Sequence, residues 1–355
     1  MDTLEDQLVL KFDNTYKCKS IKVAGSKVID RSEVYNLNVR CNGLDHNVID
    51  CKSPYLKIHL LDVKGLEFSN VKSIIESSSQ IPYFIPILSK RHFKYNIESR
   101  FVGLTLKSIF KSYPIKSNFI IHECKKNLKI NLDVLKNNIF RHKKVILFAT
   151  GKDCLIEELW KEQINIQLFN KIKQLGLHAS TSVNYSIMIG ECPFSHCLNL
   201  KKSLITFESI QEIGLQCIPH IYWINIPQVR RWIAWLKNNP NIKLVNINCQ
   251  LCKEKVYLNI LSDGMGLLLK ELPYLRILLQ GPKKKLLKAI RNFSNSIHIA
   301  SSMPSDYAVN HRILNISNET FSRVESKNQT IDTLIGINNN NYIRYLEENF
   351  YYRKL

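Results

Sequence analysis

Two amides placed two residues apart open the chemical reading of this chain. Asn246 and Asn248 lie in the apolar run IKLVNINC (242–249), and residues at that spacing share one face of an extended segment. An amide buried without a partner costs about 1–3 kcal/mol on mutational scales, so these two need each other, the backbone or a ligand. Gln280 closes the run RILLQG (276–281), and His220 stands in QCIPHIYW (216–223), two residues before Tyr222. A histidine at a strand end suits general acid–base work or a phosphate; a satisfied core histidine is the plain alternative. Asp153 stands four residues ahead of Glu157. Two carboxylates at that spacing share a helix face, where they could exchange protons or hold a cation, although a helix N-terminus favours the same acids through its dipole alone. Asp153 and His220 are therefore the catalytic candidates. Asn184, Tyr185, Asn246, Asn248 and Gln280 are candidates for ligand binding.

The best anion candidate is the turn QGPKKK (280–285). Gly281 ends a strand, Pro282 suits the first helical turn, and Lys283 and Lys284 bring charge to a helix start, where backbone N–H groups favour anions. Ser301 and Ser302, after SIHIA (296–300), fall beside that turn if the strands form a barrel. A solvated basic turn is the plain alternative. Cysteine pairs raise the question of zinc: Cys192 with Cys197 in ECPFSHC, and Cys249 with Cys252 in NCQLC. A single C-x2-C is a weak signal, and His196 directly beside Cys197 is awkward for tetrahedral ligation. No metal or other cofactor is expected.

The elements that must position these groups are legible as rhythm. Eight short apolar runs occur after residue 80: YFIPIL (83–88), FVGLTL (101–106), VILFAT (145–150), LHASTSV (177–183), QCIPHIYW, IKLVNINC, RILLQG and SIHIA. They read as strands buried on both faces. Helical patterns separate most of them. CLIEELWKEQINIQLFNKIKQLG and LNLKKSLITFESIQEIG end on Gly176 and Gly214, IPQVRRWIAWLKNNP stops before Pro240, and PKKKLLKAIRNFSN and NLDVLKNNIFR complete the set. Between the first two runs KRHFKYNIESR shows no clear helix. The pattern predicts an α/β fold, a (β/α)8 TIM-like barrel, with its functional groups at the carboxyl ends of the strands. An open doubly wound sheet is the rival, and no GxGxxG or GxxxxGK[ST] turn is present to support it.

Three regions follow. Residues 1–80 read as a β-rich accessory region that includes YLKIHLLDV, 81–315 as the barrel domain, and 316–355 as a tail of loop plus docking helix. Charge divides the same way. Residues 1–80 hold 11 basic and 11 acidic groups; the remaining 39 basic and 19 acidic groups, the whole formal +20, fall later. Such an excess attracts phosphate-bearing partners, although abundant Lys, Asn and Ile also mark an AT-rich genome. Ten cysteines in 355 residues are too sparse for a disulfide scaffold. The start, MDTLEDQLVLKF, lacks a secretory pattern, and no run of about 18 apolar residues spans a membrane. The expected location is the cytoplasm, or the interior of an organelle with its own AT-rich genome, and not outside the cell.

One block resembles a known family. Asn184–Ser186, Asn199–Ile205, Gly214–His220, Arg231–Trp232 and Asn239–Pro240 match its N-[FY]-S, N-x-K-[KR]-S-L-I, G-x-x-x-I-P-H, R-W and N-P features. IPYFIPIL and ATGKDCLIEELW upstream are also similar. The family is an uncharacterised one of barrel-like proteins from bacterial chromosomes and mobile elements. The resemblance covers residues 80–310; it implies a barrel, supplies no catalytic residues and does not include the cysteine pairs.

The expected function is binding of a phosphate-bearing ligand, nucleic acid or nucleotide, at the strand carboxyl-terminal face. Two alternatives stand beside it. One is a non-catalytic nucleic-acid-binding accessory protein of a plasmid or mobile element. The other is a small-molecule enzyme whose basic charge is only compositional.

Overall fold

The eight apolar runs form eight parallel strands. In the computed structural model they are β1 (Phe84–Leu88), β2 (Phe101–Thr105), β3 (Lys144–Phe148), β4 (Ala179–Thr181), β5 (Cys217–Ile218), β6 (Leu244–Asn248), β7 (Arg276–Gln280) and β8 (Ile297–Ser301). The structure describes residues 60–351 apart from 77–79, 96, 110–141, 152, 154, 157–158, 161–169, 171–172, 175, 188–192, 251–254, 318–319 and 326–328.

The strands hydrogen-bond in the order β5-β4-β3-β2-β1-β8-β7-β6. A single parallel bridge between His220 and Asn246 joins the two ends. The sheet is therefore a nearly closed all-parallel barrel, and the open-sheet rival falls. Closure is thinnest at β5, which is two residues long. Pro219 follows it directly and has no N–H to donate, although its carbonyl accepts from Asn246 N at 2.8 Å.

Helices follow the strands: α1 (Leu106–Ile109), α2 (Pro193–Glu212), α3 (Ile226–Lys237), α4 (Lys255–Glu271), α5 (Lys284–Ala289), α6 (Met303–Val309) and α7 (Ile331–Leu346). Between β3 and β4, Asp153, Leu155, Ile156, Leu159, Trp160, Asn170, Lys173 and Gln174 are helical. Gly176 and Gly214 carry φ of +70° and +76°, the left-handed ends their positions imply. Asn225 caps α3 by accepting from Gln228 N at 3.0 Å. Among the described residues between β1 and β2, the one helical element is a 3-10 turn, Lys90–His92. The segment NLDVLKNNIFR lies outside the described residues.

Two apolar layers hold the ring. One fills the lumen: Ile85, Ile87, Phe101, Ile146, Phe148, Ile218, Leu244 and Leu278 belong to one buried cluster. Phe148 fits there because position 103 is glycine; a Cβ at Gly103 would lie 2.6 Å from its ring. The other layer lies between the outer strand faces and the helices.

Residues 60–76 run over the outside of α2 and α3. Leu60–Asp62 are helical, which corrects the strand expected in YLKIHLLDV. The turn ends in a Schellman-type pair, Gly65 N to Leu60 O at 2.8 Å and Lys64 N to Leu61 O at 3.1 Å. Phe68 packs on Trp232 at 4.8 Å between ring centroids, under the Arg231 guanidinium. Lys201 Nζ donates to Glu67 O and Asn70 Oδ1, and Trp235 Nε1 donates to Val71 O. Helix α2 is thus covered on both sides, which is why its sequence lacks a clean polar face. The earlier part of the accessory region lies outside the described residues.

The chain after β8 holds an antiparallel hairpin, β9 (Arg312–Ser317) and β10 (Thr320–Glu325), where a loop was expected. Helix α7 then buries Leu334, Ile335, Tyr342, Tyr345 and Leu346, and a π-helical turn, Glu347–Tyr351, continues it. Among the described residues no helix is long and apolar enough to cross a membrane.

Candidate functional site

The mouth of the lumen at the strand carboxyl ends is lined by polar side chains. Gln280 Nε2 on β7 donates to Thr150 Oγ1, just past β3, at 2.9 Å. Those strands are not neighbours, so the bond crosses the lumen and fixes both side chains as inward-facing. Register carries the same face to β6, where Asn248 pairs with Gln280 and Asn246 with Leu278. Asn246 then meets His220 across the closing bridge, Nδ2 to Nδ1 at 2.7 Å. With the amide nitrogen donating, Nδ1 accepts and the imidazole proton resides on Nε2.

These groups are deeply buried: His220 is 1% exposed, and Asn246 and Gln280 are 0%. Yet His220 Nε2, Asn246 Oδ1, Gln280 Oε1 and Tyr222 Oη have no hydrogen-bond partner. The Tyr222 ring lies 5.1 Å from the His220 ring. Burial pushes the His220 imidazole down to about 3, so it is neutral, and burial raises the Tyr222 phenol. The lumen mouth is therefore an uncharged set of donors and acceptors.

The strand carrying His220 is held from outside by hydroxyls. Ser182 Oγ accepts from His220 N at 2.7 Å and contacts Ser203 Oγ at 3.1 Å. Thr206 Oγ1, one turn along α2, accepts from Val183 N at 3.1 Å. These side chains replace ladder bonds that the two-residue β5 cannot supply. Ser203 and Thr206 stand three apart, one helical turn; that spacing is the signal sequence reading passed over.

The other expected residues sit elsewhere on the rim. Asp153 is exposed and accepts from Ser186 Oγ at 2.7 Å, and Asn199 Nδ2 donates to Ser186 O at 2.6 Å. Asp153 thus belongs to a separate polar group beside β4, and Glu157 lies outside the described residues. Asn184 is half-buried and bonds through its backbone to Ala149 O at 3.1 Å. Tyr185 is buried edge-on to Trp160 at 5.9 Å with the Lys202 ammonium over its ring. Asn248 Oδ1 accepts from Gln250 N at 3.1 Å and shapes its own loop.

The anion turn differs from expectation. Gly281 has φ of +64°, but its N–H already donates to Ala300 O at 2.7 Å. Helix α5 is only six residues long, with Lys283 exposed and Lys284 half-buried at its start. Ser301 does not join them: its Oγ accepts from Met303 N at 3.2 Å and bonds to Tyr342 of the outer helix layer. Ser302 O accepts from Asp306 N at 2.9 Å.

Cys197 packs with Leu60, Val63 and Leu66, whereas Cys249 belongs to the main outer core; Cys192 and Cys252 lie outside the described residues. Among the described residues no three His, Cys, Asp or Glu side chains gather as metal ligands do. Lys201 and Lys202 belong to α2, as the helical pattern LNLKKSLITFESIQEIG implies.

Comparison with known protein families and with curated proteins finds no match to this chain. The family resemblance of residues 80–310 therefore rests on its quoted motifs alone.

Proposed function

We propose that the barrel binds a small phosphate-bearing ligand, best fitted by a nucleotide. Its neutral ring edge meets the lumen groups and its phosphate stays at the basic rim. One observation carries this reading: His220 Nε2, Asn246 Oδ1, Gln280 Oε1 and Tyr222 Oη are buried and unpartnered at one mouth. Each such atom costs about 1–3 kcal/mol if left unmet, and a nucleobase edge carries the matching N–H donors and acceptors. The groups are uncharged, so the part entering the lumen is uncharged too. The exposed Lys94 after β1 and Lys283 after β7, with the overall +20, support phosphate outside it.

If chemistry follows binding, His220 acts by donating from Nε2 and polarising a carbonyl, because an imidazole held near 3 is a poor proton acceptor near neutral pH. Asp153, exposed beside Ser186, is the remaining general-base candidate.

A second reading, a non-catalytic nucleic-acid-binding accessory protein, draws on the charge excess of residues 81–355. Calorimetric titration separates the two, using AMP, GMP, CMP and UMP beside inorganic phosphate and a single-stranded oligonucleotide. Saturable binding of a mononucleotide that survives moderate salt and is lost in Gln280→Leu supports the lumen reading. Binding of the oligonucleotide alone, falling steeply with salt, supports the second. No binding at all leaves the enzyme with merely compositional charge.

A further inference from the structure

The amino-terminal ends of the strands carry cations that the lumen site does not use. Side-chain parity sets three basic residues on the lumen face. Ile146, Leu278 and Ala300 belong to the lumen cluster, and Lys144, Arg276 and His298 each stand two residues earlier on the same strands. All three are half-buried. Strands β3 and β7, which hold Lys144 and Arg276, are the pair joined across the lumen near their far ends by Gln280 and Thr150. The Lys144 ammonium rests over the Phe101 ring at 5.2 Å, and the His178 ring stands edge-on to the same phenyl at 5.7 Å. Arg276 Nη1 donates to Ser296 Oγ at 3.2 Å, and the same fork keeps further N–H donors.

No carboxylate answers this charge. Among the described residues Lys144, Arg276 and the exposed Arg100 form no ion pair. Nearby acids are engaged: Glu98 faces Lys143, Glu271 is held by Lys237 at 2.7 Å, and Glu347 accepts from Tyr83 Oη at 2.6 Å. The two imidazoles report the same field. Burial lowers His178, and Lys144 adds to the fall; burial lowers His298, the bond to Pro82 O opposes it, and Arg276 adds to it. Part-buried cations gathered without a counter-charge repel one another and lose hydration. Elsewhere cations meet acids, as Arg91 meets Asp306 and Arg344 meets Glu348, which sets this end apart from a merely compositional excess.

An exposed ring completes the surface. Tyr274, two residues before Arg276, is 39% exposed, with the Lys243 ammonium 4.6 Å from its ring centroid. Rings set among cations suit a single strand, whose phosphates meet the charge while a base stacks on the ring. An acidic peptide would use the cations and leave the ring idle.

We propose that the amino-terminal end of the barrel is a docking surface for single-stranded nucleic acid. Its phosphates meet Lys144, Arg276 and Arg100, and a base stacks on Tyr274. The surface lies at the opposite end of the strands from the lumen mouth and does not depend on it.

The test is fluorescence anisotropy of a labelled oligothymidine mixed with the full chain across a series of salt concentrations, with polyglutamate as competitor. Oligothymidine binds, and its affinity falls with salt. Arg276→Gln and Lys144→Gln each weaken binding, and each lowers the slope of log affinity against log salt by about 0.7, the loss of one phosphate contact on a single strand. Arg100→Gln, at an exposed position whose change leaves the fold intact, does the same. Tyr274→Ala weakens binding about tenfold and leaves the slope unchanged. Lys255→Gln removes the same charge from the exposed start of α4, at the carboxyl-terminal end, and changes neither. Gln280→Leu, which ends mononucleotide binding in the lumen, leaves oligothymidine binding intact, so either site can fail alone. The proposal is overturned if oligothymidine does not bind, if polyglutamate displaces it as well as unlabelled oligothymidine of equal charge, or if Lys255→Gln weakens binding as much as Arg100→Gln.

Discussion

His220 Nδ1 and Asn246 Nδ2 lie 2.7 Å apart across the one backbone bridge that closes the ring. The same two side chains therefore seal the barrel and begin its polar mouth. Backbone bonds flank the pair, with Ile221 N donating to Asn246 O at 2.9 Å and Asn246 N to Pro219 O at 2.8 Å.

A double-mutant cycle measures that seal. His220→Leu and Asn246→Val each leave the partner's polar atom buried and unmet, so each single change costs about 2–3 kcal/mol in denaturant unfolding. The double variant removes both orphans and costs about 1–2 kcal/mol less than the sum. Strict additivity contradicts the coupling.

Buried neutral histidines set a pH dependence. Burial lowers His220 to about 3 and His92 to about 4 from 6.5; near His92, Asp306 opposes that fall and Arg91 adds to it. Below 6.5 the unfolded chain protonates these rings while the folded protein does not, so the unfolded state binds more protons and stability falls as pH drops. The loss begins near 6.5 and ends near the folded values. Above about pH 5 most carboxylates are still ionised, so the interval from 5 to 6.5 isolates the histidines. There each contributes a slope of up to about 1.4 kcal/mol per pH unit. Urea unfolding across that interval shows the slope, and His220→Gln reduces it. A flat profile contradicts the burial argument.

Gly281 tests the turn after β7. Alanine there must hold φ of +64°, and its Cβ would meet Gln250 Cγ at 2.6 Å. Gly281→Ala loses about 1–3 kcal/mol. Gln250→Ala in the same chain recovers the contact part but not the backbone part. Full recovery would mean that φ costs nothing there.

Much of this was legible in the sequence, for physical reasons that differ by element. Strands buried on both faces are short apolar runs, so IKLVNINC and RILLQG announced β6 and β7 directly. Asn246, His220 and Gln280 stood out because polar residues are rare in such runs. Ser301 misled because period two decides its side: it faces Tyr342 and the helices, and only Ser302 is on the lumen parity. Asp153 lay near the mouth but bonds to Ser186, a partner 33 residues on that no local pattern reveals. The helical turn at Leu60–Asp62 hid inside an apolar run too short to separate the two periods. Residues near α5 and residues of α7 and the π-helical turn after it line one space, and a neighbourhood so distant in sequence leaves no trace in spacing.

The most direct test of the lumen site follows the His220 side chain by nitrogen-15 NMR while a mononucleotide is added. The account predicts a neutral ring with its proton on Nε2, and a saturable shift of that nitrogen that disappears in Gln280→Leu. A His220 signal that stays fixed while the nucleotide binds, or a nucleotide affinity unchanged in Gln280→Leu, would contradict it.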